Sequence, residues 1–257
     1  YTLMEIESWA DAAGGIGAPQ ALCDALNTYL GTPGLYAAVA DPIAGEFDPG
    51  EGGDYIQTAI IYKTTTVIPV GLAQSSNDTI FDRSPFAQEF EEIATGEQFI
   101  VVANHFKSKG SCPASGEDAD QGDGQGCWNA KRQLQADALL TFIDDTLVDL
   151  DPDVFVMGDL NAYGAEDPIT VLTTGGLVNQ IAANVPEAER YSYVFDGTAG
   201  YLDHALSTAS ATAQITDVAF WHINADEPTV IDYNTEYKGG TYSPDLYQAH
   251  PYRSSDH

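Results

Sequence analysis

The sequence predicts a mixed α/β (α+β) fold, and three observations carry that prediction. Apolar, β-branched runs of strand length recur between glycine-rich turns, two longer segments with helical stripes lie between them, and no repeat or heptad is present. Taken in order, a helix is expected over 19–30, where Leu22, Leu26 and Leu30 fall at steps of four. Strands are expected over 57–62, 66–70 and 98–104. A second helix is expected over 129–147, with Leu134, Ala138 and Phe142 on one stripe, Leu139 and Ile143 on its neighbour, and Asn129 as N-cap. Strands over 154–157, 202–206 and 212–220 complete the pattern. The acidic segment 117–126 reads as a surface loop. Its Asp118, Asp120 and Asp123 approach a calcium-loop pattern, but the third Asp falls one place late and the closing Glu is missing, so a structural Ca²⁺ site and a solvated loop both stay open.

The 257 residues include 9 Lys plus Arg against 39 Asp plus Glu, a formal net charge of −30. That excludes a generic basic nucleic-acid binder. With 44% hydrophobic residues a chain of this length can build a core, and no apolar run is long enough for a membrane span. No Pro- or Ser-rich linker divides the chain, so one domain over 1–257 is expected. It opens at Tyr1 inside an apolar segment and stops at His257, which leads to the expectation of a domain trimmed at both ends. So many carboxylates suit either a saline extracellular habitat or plain solubility. Cys112 and Cys127 bracket a Gly- and Asp-rich loop, the place for a disulfide; the competing metal reading lacks a CxxC pair or a nearby His. Cys23 is then left to a partner elsewhere or to burial as a small apolar group.

Polar residues at the ends of apolar strands are the informative ones, because a strand holds its terminal side chains rigidly over a cleft. Asn104-His105 ends one such run. Gly158-Asp159-Leu160-Asn161 ends another and puts Asp159 and Asn161 on one face if the chain stays extended. Asp203 and His204 lie at a third, and the chain closes on Ser255-Asp256-His257. Singly, each also reads as a turn or an edge residue.

Together and in this order, these segments resemble the endonuclease/exonuclease/phosphatase superfamily. Further segments carry the likeness: Leu3-Met4-Glu5, Arg83-Ser84-Pro85, Asn104-His105-Phe106-Lys107-Ser108-Lys109, Cys127-Trp128-Asn129 and Tyr191-Ser192-Tyr193 ahead of Asp203-His204. The Asn-His-Phe-Lys-Ser-Lys and Cys-Trp-Asn segments narrow it to secreted bacterial extracellular deoxyribonucleases. The resemblance implies a four-layer sandwich of two β-sheets flanked by helices. It implies Mg²⁺, with Mn²⁺ as a substitute, held by Glu5 and Asp256. It casts His257 as the proton acceptor oriented by Asp203, and Asp159 and Asn161 as the pair that positions the nucleophile. It casts His105 as a second, acidic histidine, weakly paired with Asp54, and Arg83, Asn104, Lys107 and Asn161 as phosphate contacts. Three departures stand out: the family's asparagine strand ahead of Glu5 and the final strand after His257 are absent, and Met4 replaces a common Gln.

Phosphodiester hydrolysis needs a cation on the phosphate, an activated water and donors around the developing charge, which this residue set supplies. Five of the nine basic residues fall between Arg83 and Arg132, beside the motifs, and suggest a small DNA-holding patch. The expected function is therefore a secreted, divalent-metal-dependent endonuclease acting on DNA as a monomer, without a membrane. The alternatives are a phosphodiesterase acting on a phospholipid and a catalytically inactive binding or adhesion module.

Overall fold

The computed structural model describes residues 1–7, 17–40, 56–222, 224–228, 254–255 and 257. Along the chain the elements are β1 (Thr2–Glu7), α1 (Ala18–Leu30), β2 (Tyr36–Ala38), β3 (Ile56–Lys63), β4 (Val67–Ser75), β5 (Phe86–Glu92), β6 (Gln98–His105) and α2 (Asn129–Phe142). They continue as β7 (Val154–Asp159), α3 (Asp167–Thr174), β8 (Val178–Asn179), α4 (Gln180–Asn184), β9 (Tyr193–Phe195), β10 (Thr198–Gly200), β11 (Asp203–Ser207) and α5 (Ala209–Thr212).

Four layers result, as the resemblance implied. A six-stranded sheet in the order β4-β5-β6-β7-β11-β8 faces a three-stranded sheet in the order β1-β3-β2, and β9 and β10 form a separate hairpin. Of the six-stranded sheet's neighbours, only β6 and β7 run parallel. Because side chains alternate along a strand, the two faces of this sheet bury different partners. Val102, Val154 and Val156 meet Leu139, Ile143 and Leu172 of the α2–α3 layer. Phe86, Phe90 and Ala103 look the other way and pack on Ile60 of β3. α1 covers the outer face of the small sheet. It starts with Pro19 in its first turn, ends on Gly31 in the left-handed region, and buries the free thiol of Cys23, so burial is the fate of that cysteine. Asn27 ties its last turn to β2, accepting the Tyr36 N–H at 2.8 Å and donating to the Tyr36 carbonyl at 2.9 Å.

Three expectations are corrected. Residues 212–220 are not a strand: Thr212 ends α5, its hydroxyl bonded to the Thr208 carbonyl, and Val218 and Phe220 instead pack on the Ile181, Val185 and Tyr201 cluster. Alternating apolar residues there fit a surface without a ladder to join. Asn129 is not the N-cap of α2; Trp128 holds that position with φ +63°, while the Asn129 amide donates to Asp167 at 3.1 Å. The helical stripe runs to Leu147, but its last turn, Ile143–Leu147, widens into a π-turn.

Candidate active site

One end of three interior strands of the six-stranded sheet collects the chemistry. His105 is the last residue of β6, Asp159 the last of β7 and Asp203 the first of β11, and the register pairs His105 with Asp159 and Asp159 with Asp203. Paired residues on neighbouring strands point to the same face. The three side chains therefore stand in a row over the gap between the sheets. Gly158 makes the row possible: its φ is +143°, and a Cβ there would lie 2.0 Å from the Asn104 carbonyl oxygen.

Glu5 reaches the row from the opposite sheet by a bulge. Leu3 pairs with Ala59 and Ile6 with Gln57, so Met4 and Glu5 oppose Thr58 alone, and Glu5 takes φ +58°. Its Oε1 lies 3.8 Å from His105 Nε2, which is itself 3.5 Å from Asp159 Oδ2.

His257 closes the other side. Its Nδ1 and Asp203 Oδ2 are 2.7 Å apart, its Nε2 is 3.8 Å from Asp159 Oδ2, and its ring lies edge-on to Tyr193. Ser192 Oγ donates to the same Asp203 oxygen at 2.5 Å. Beyond β7 the chain is not extended, contrary to the expectation. Asn161 takes φ +49° and folds back, its N–H donating to Asp159 Oδ1 at 2.7 Å and its amide to Asp159 Oδ2 at 3.0 Å and to the Phe106 carbonyl at 3.1 Å. A cavity of about 500 Å³ opens over this group, walled by Glu5, Asp159, Asn161, His257, Lys109 and Phe195.

The electrostatics follow from burial. Burial, with Asp203 and Glu5 nearby, outweighs the His257 attraction and pushes Asp159 up to about 7. Burial, helped by the Arg83 charge, drops His105 to about 3, so it is neutral in the free site. Burial would raise Asp203 as well, but the hydrogen bonds from His257 and Ser192 win and hold it below the usual carboxylate range. Glu5 and Asp159 present carboxyl oxygens to one cavity, the hard-donor chemistry that suits Mg²⁺ completed by water and phosphate oxygens, and a bound cation would favour the ionised form of Asp159.

Other expected residues lie elsewhere. Asn104 alternates with His105, so it stands on the opposite face of β6, buried, with its amide donating to the Val102 carbonyl. Arg83 Nη2 donates to the Phe106 carbonyl at 3.3 Å, and Lys107 Nζ sits 5.0 Å over the Trp128 ring. None of these three lines the cavity. Asp54 and Asp256 lie outside the described residues.

The basic cluster is largely internal. Arg132 is fully buried and donates to the carbonyls of Lys107, Gln125 and Cys127. Lys109 pairs with Glu166 at 2.5 Å and Lys131 with Asp82 at 2.6 Å. Cys112 and Cys127 form a disulfide, and the loop they close supplies Gly124 and Gly126 to the cavity wall. In that loop Asp118, Asp120 and Asp123 each accept a backbone N–H. Residue spacing did not expose Ser192 or the Lys109–Glu166 pair, whose partners are 11 and 57 positions away.

A family model, that of the endonuclease/exonuclease/phosphatase family, matches residues 6–257. The chain belongs to that family. Its members are phosphodiesterases, nucleases and phosphatases, typically metal-dependent. Solved structures in this superfamily include the human Nocturnin catalytic domain with bound sulfate, 17% identical over 81% of this chain and 68% of that one, TM-score 0.49. A Bacteroides thetaiotaomicron mannosyl-6-phosphatase is 14% identical over 81% and 85%, TM-score 0.48. Truncated Caenorhabditis elegans TDP2 is 14% identical over 80% and 69%, TM-score 0.45. No curated protein matches the chain.

Proposed function

We propose that the chain is a secreted, divalent-metal-dependent endonuclease that hydrolyses phosphodiester bonds of DNA with little sequence preference. The observation that carries the reading is the His257–Asp203 couple at 2.7 Å, set beside Asp159 and Asn161 over an open cavity. Asp203, held ionised, accepts the His257 Nδ1 proton and leaves Nε2 as the acceptor. Asp159, braced by both the backbone and the amide of Asn161, has its Oδ2 3.8 Å from that nitrogen and would hold the attacking water between the two. His257 Nε2 takes the water's proton as the oxygen attacks phosphorus and the bond from phosphorus to the leaving oxygen breaks, that oxygen departing with the bond's electron pair. His105 enters uncharged and donates its Nε2–H to a phosphate oxygen. Glu5 and Asp159 would hold the cation, which supplies positive charge to the phosphate and to the leaving oxygen.

Secretion is supported by the disulfide, a bond that persists in oxidising compartments, and by the charge of −30, which suits a hydrated extracellular protein. The test is supercoiled plasmid incubated with the protein and Mg²⁺, with EDTA and His105→Ala as controls. Nicking that stops in EDTA and drops at least a hundredfold in His105→Ala is expected. Undiminished nicking in EDTA would contradict the metal mechanism.

A further inference from the structure

We infer that Asn224 is a positioning residue for His257: it binds the backbone of Ser254 and of His257 and fixes the histidine to the frame that also holds Asp203. The inference rests on the reading of His257 as the proton acceptor.

A histidine can serve as base only if the backbone carrying it is fixed relative to the carboxylate that orients it. His257 lies 54 positions from Asp203 and, among the described residues, on no helix or strand, so no described ladder or helix supplies that registry. Asn224 does. Its Oδ1 accepts the Ser254 N–H at 3.1 Å, and its Nδ2 donates to the His257 carbonyl at 3.3 Å. One side chain thus binds both Ser254 and His257. A carboxamide suits the task, which needs an acceptor and a donor on the same planar group. Orientation of the amide is fixed by its partners, an N–H on one side and a C=O on the other.

Asn224 is in turn anchored where Asp203 is anchored. Its own turn is closed by the Asp226 N–H donating to the His222 carbonyl at 2.9 Å. The His222 ring stacks on Tyr191 with centroids 3.8 Å apart and planes 9° apart, and its Nδ1 lies 2.8 Å from the Tyr191 carbonyl oxygen. The Tyr191 hydroxyl donates to Asp226 at 2.9 Å. The next residue, Ser192, is the one whose hydroxyl holds Asp203. A single dipeptide, Tyr191-Ser192, therefore references both halves of the couple: Asp203 through Ser192, and His257 through Tyr191, the 222–226 turn and Asn224.

A displacement of about 1 Å in a catalytic group costs on the order of a hundredfold in rate. Asn224→Ala, and the isosteric Asn224→Asp that keeps the acceptor but loses the donor, should each lower kcat for plasmid nicking by about ten- to a hundredfold, with KM within about twofold. The deciding measurement is a double-mutant cycle with His257→Ala. If Asn224 acts through His257, adding Asn224→Ala to His257→Ala changes the residual rate by less than about twofold. The same large loss in both backgrounds would overturn the inference, since the amide would then be acting on the fold at large. An inactive His257→Ala protein beside fully active Asn224 variants would also overturn it while leaving the reading of the site intact. A fully active His257→Ala protein would overturn both.

Discussion

Gly158 is the residue on which the row of catalytic side chains depends most simply. A methyl group there meets the Asn104 carbonyl at 2.0 Å in a backbone conformation that L-residues rarely adopt, so Gly158→Ala should cost about 3 kcal/mol and most of the activity. Thermal unfolding checks it; an unchanged Tm would contradict the packing described. His204 offers a test of sign. It is fully enclosed, Nε2 bonded to the Ala162 carbonyl at 2.7 Å, and burial lowers its pKa to about 4. Because the unfolded chain binds a proton near 6.5 and the folded one does not until about 4, His204 makes stability fall as pH drops through that window. The loss approaches about 3 kcal/mol at the acid end. His204→Gln, which keeps a donor for Ala162, should remove this component: the Tm difference from wild type should be flat above pH 7 and shift steadily in the variant's favour towards pH 4.5. A pH-independent difference would contradict it.

Among elements, the disulfide-closed loop is the one whose removal should be felt at the cavity. It is held by Cys112–Cys127, by Arg132 on two of its carbonyls, and by Lys109 on the Gln125 carbonyl. Replacing both cysteines by serine releases a closed loop of about 15 residues, a cost of about 3 kcal/mol, and should lower kcat/KM because the loop walls the site. Wild-type Tm and kcat/KM in that variant would contradict the role given to the loop. The same elements show what was legible in the sequence. β3, β6, β7 and β11 could be read from local apolar pattern because their apolar residues are largely buried, and both long helices from apolar spacing alone, since Leu22, Leu30 and Leu134 of that spacing are exposed. β5 alternates less clearly through Gln88 and Glu89, and β8 to β10 are two or three residues long, too short for any period. His105, Asp159 and Asp203 were readable because each ends or begins a strand. Ser192 and Asn224 act through contacts that only the folded chain creates, and the Glu5 bulge depends on a register that local pattern does not specify.

For the molecule as a whole, the charge of −30 and the internal use of its cations point the same way. Arg132, Lys109 and Lys131 are spent on carbonyls and carboxylates, and Arg190 on the carbonyls of Val185 and Ala182. The patch suggested by sequence clustering is thereby reduced to at most Arg83, which also donates to the Phe106 carbonyl, and Lys107, which sits over the Trp128 ring. With about two phosphate contacts, log K for DNA should fall with log salt with a slope of about −2. A slope of −5 or steeper, measured by anisotropy in Ca²⁺ without turnover, would contradict this. Affinity is then weak, and rate must come from the site itself, at whose centre Asp159 touches or faces Asn161, His105 and His257. The most direct measurement is therefore the initial rate of plasmid nicking in Mg²⁺ by wild type and by Asp159→Asn. A drop of about a thousandfold or more, with the fold retained, is the predicted result; a rate within tenfold of wild type would contradict the account.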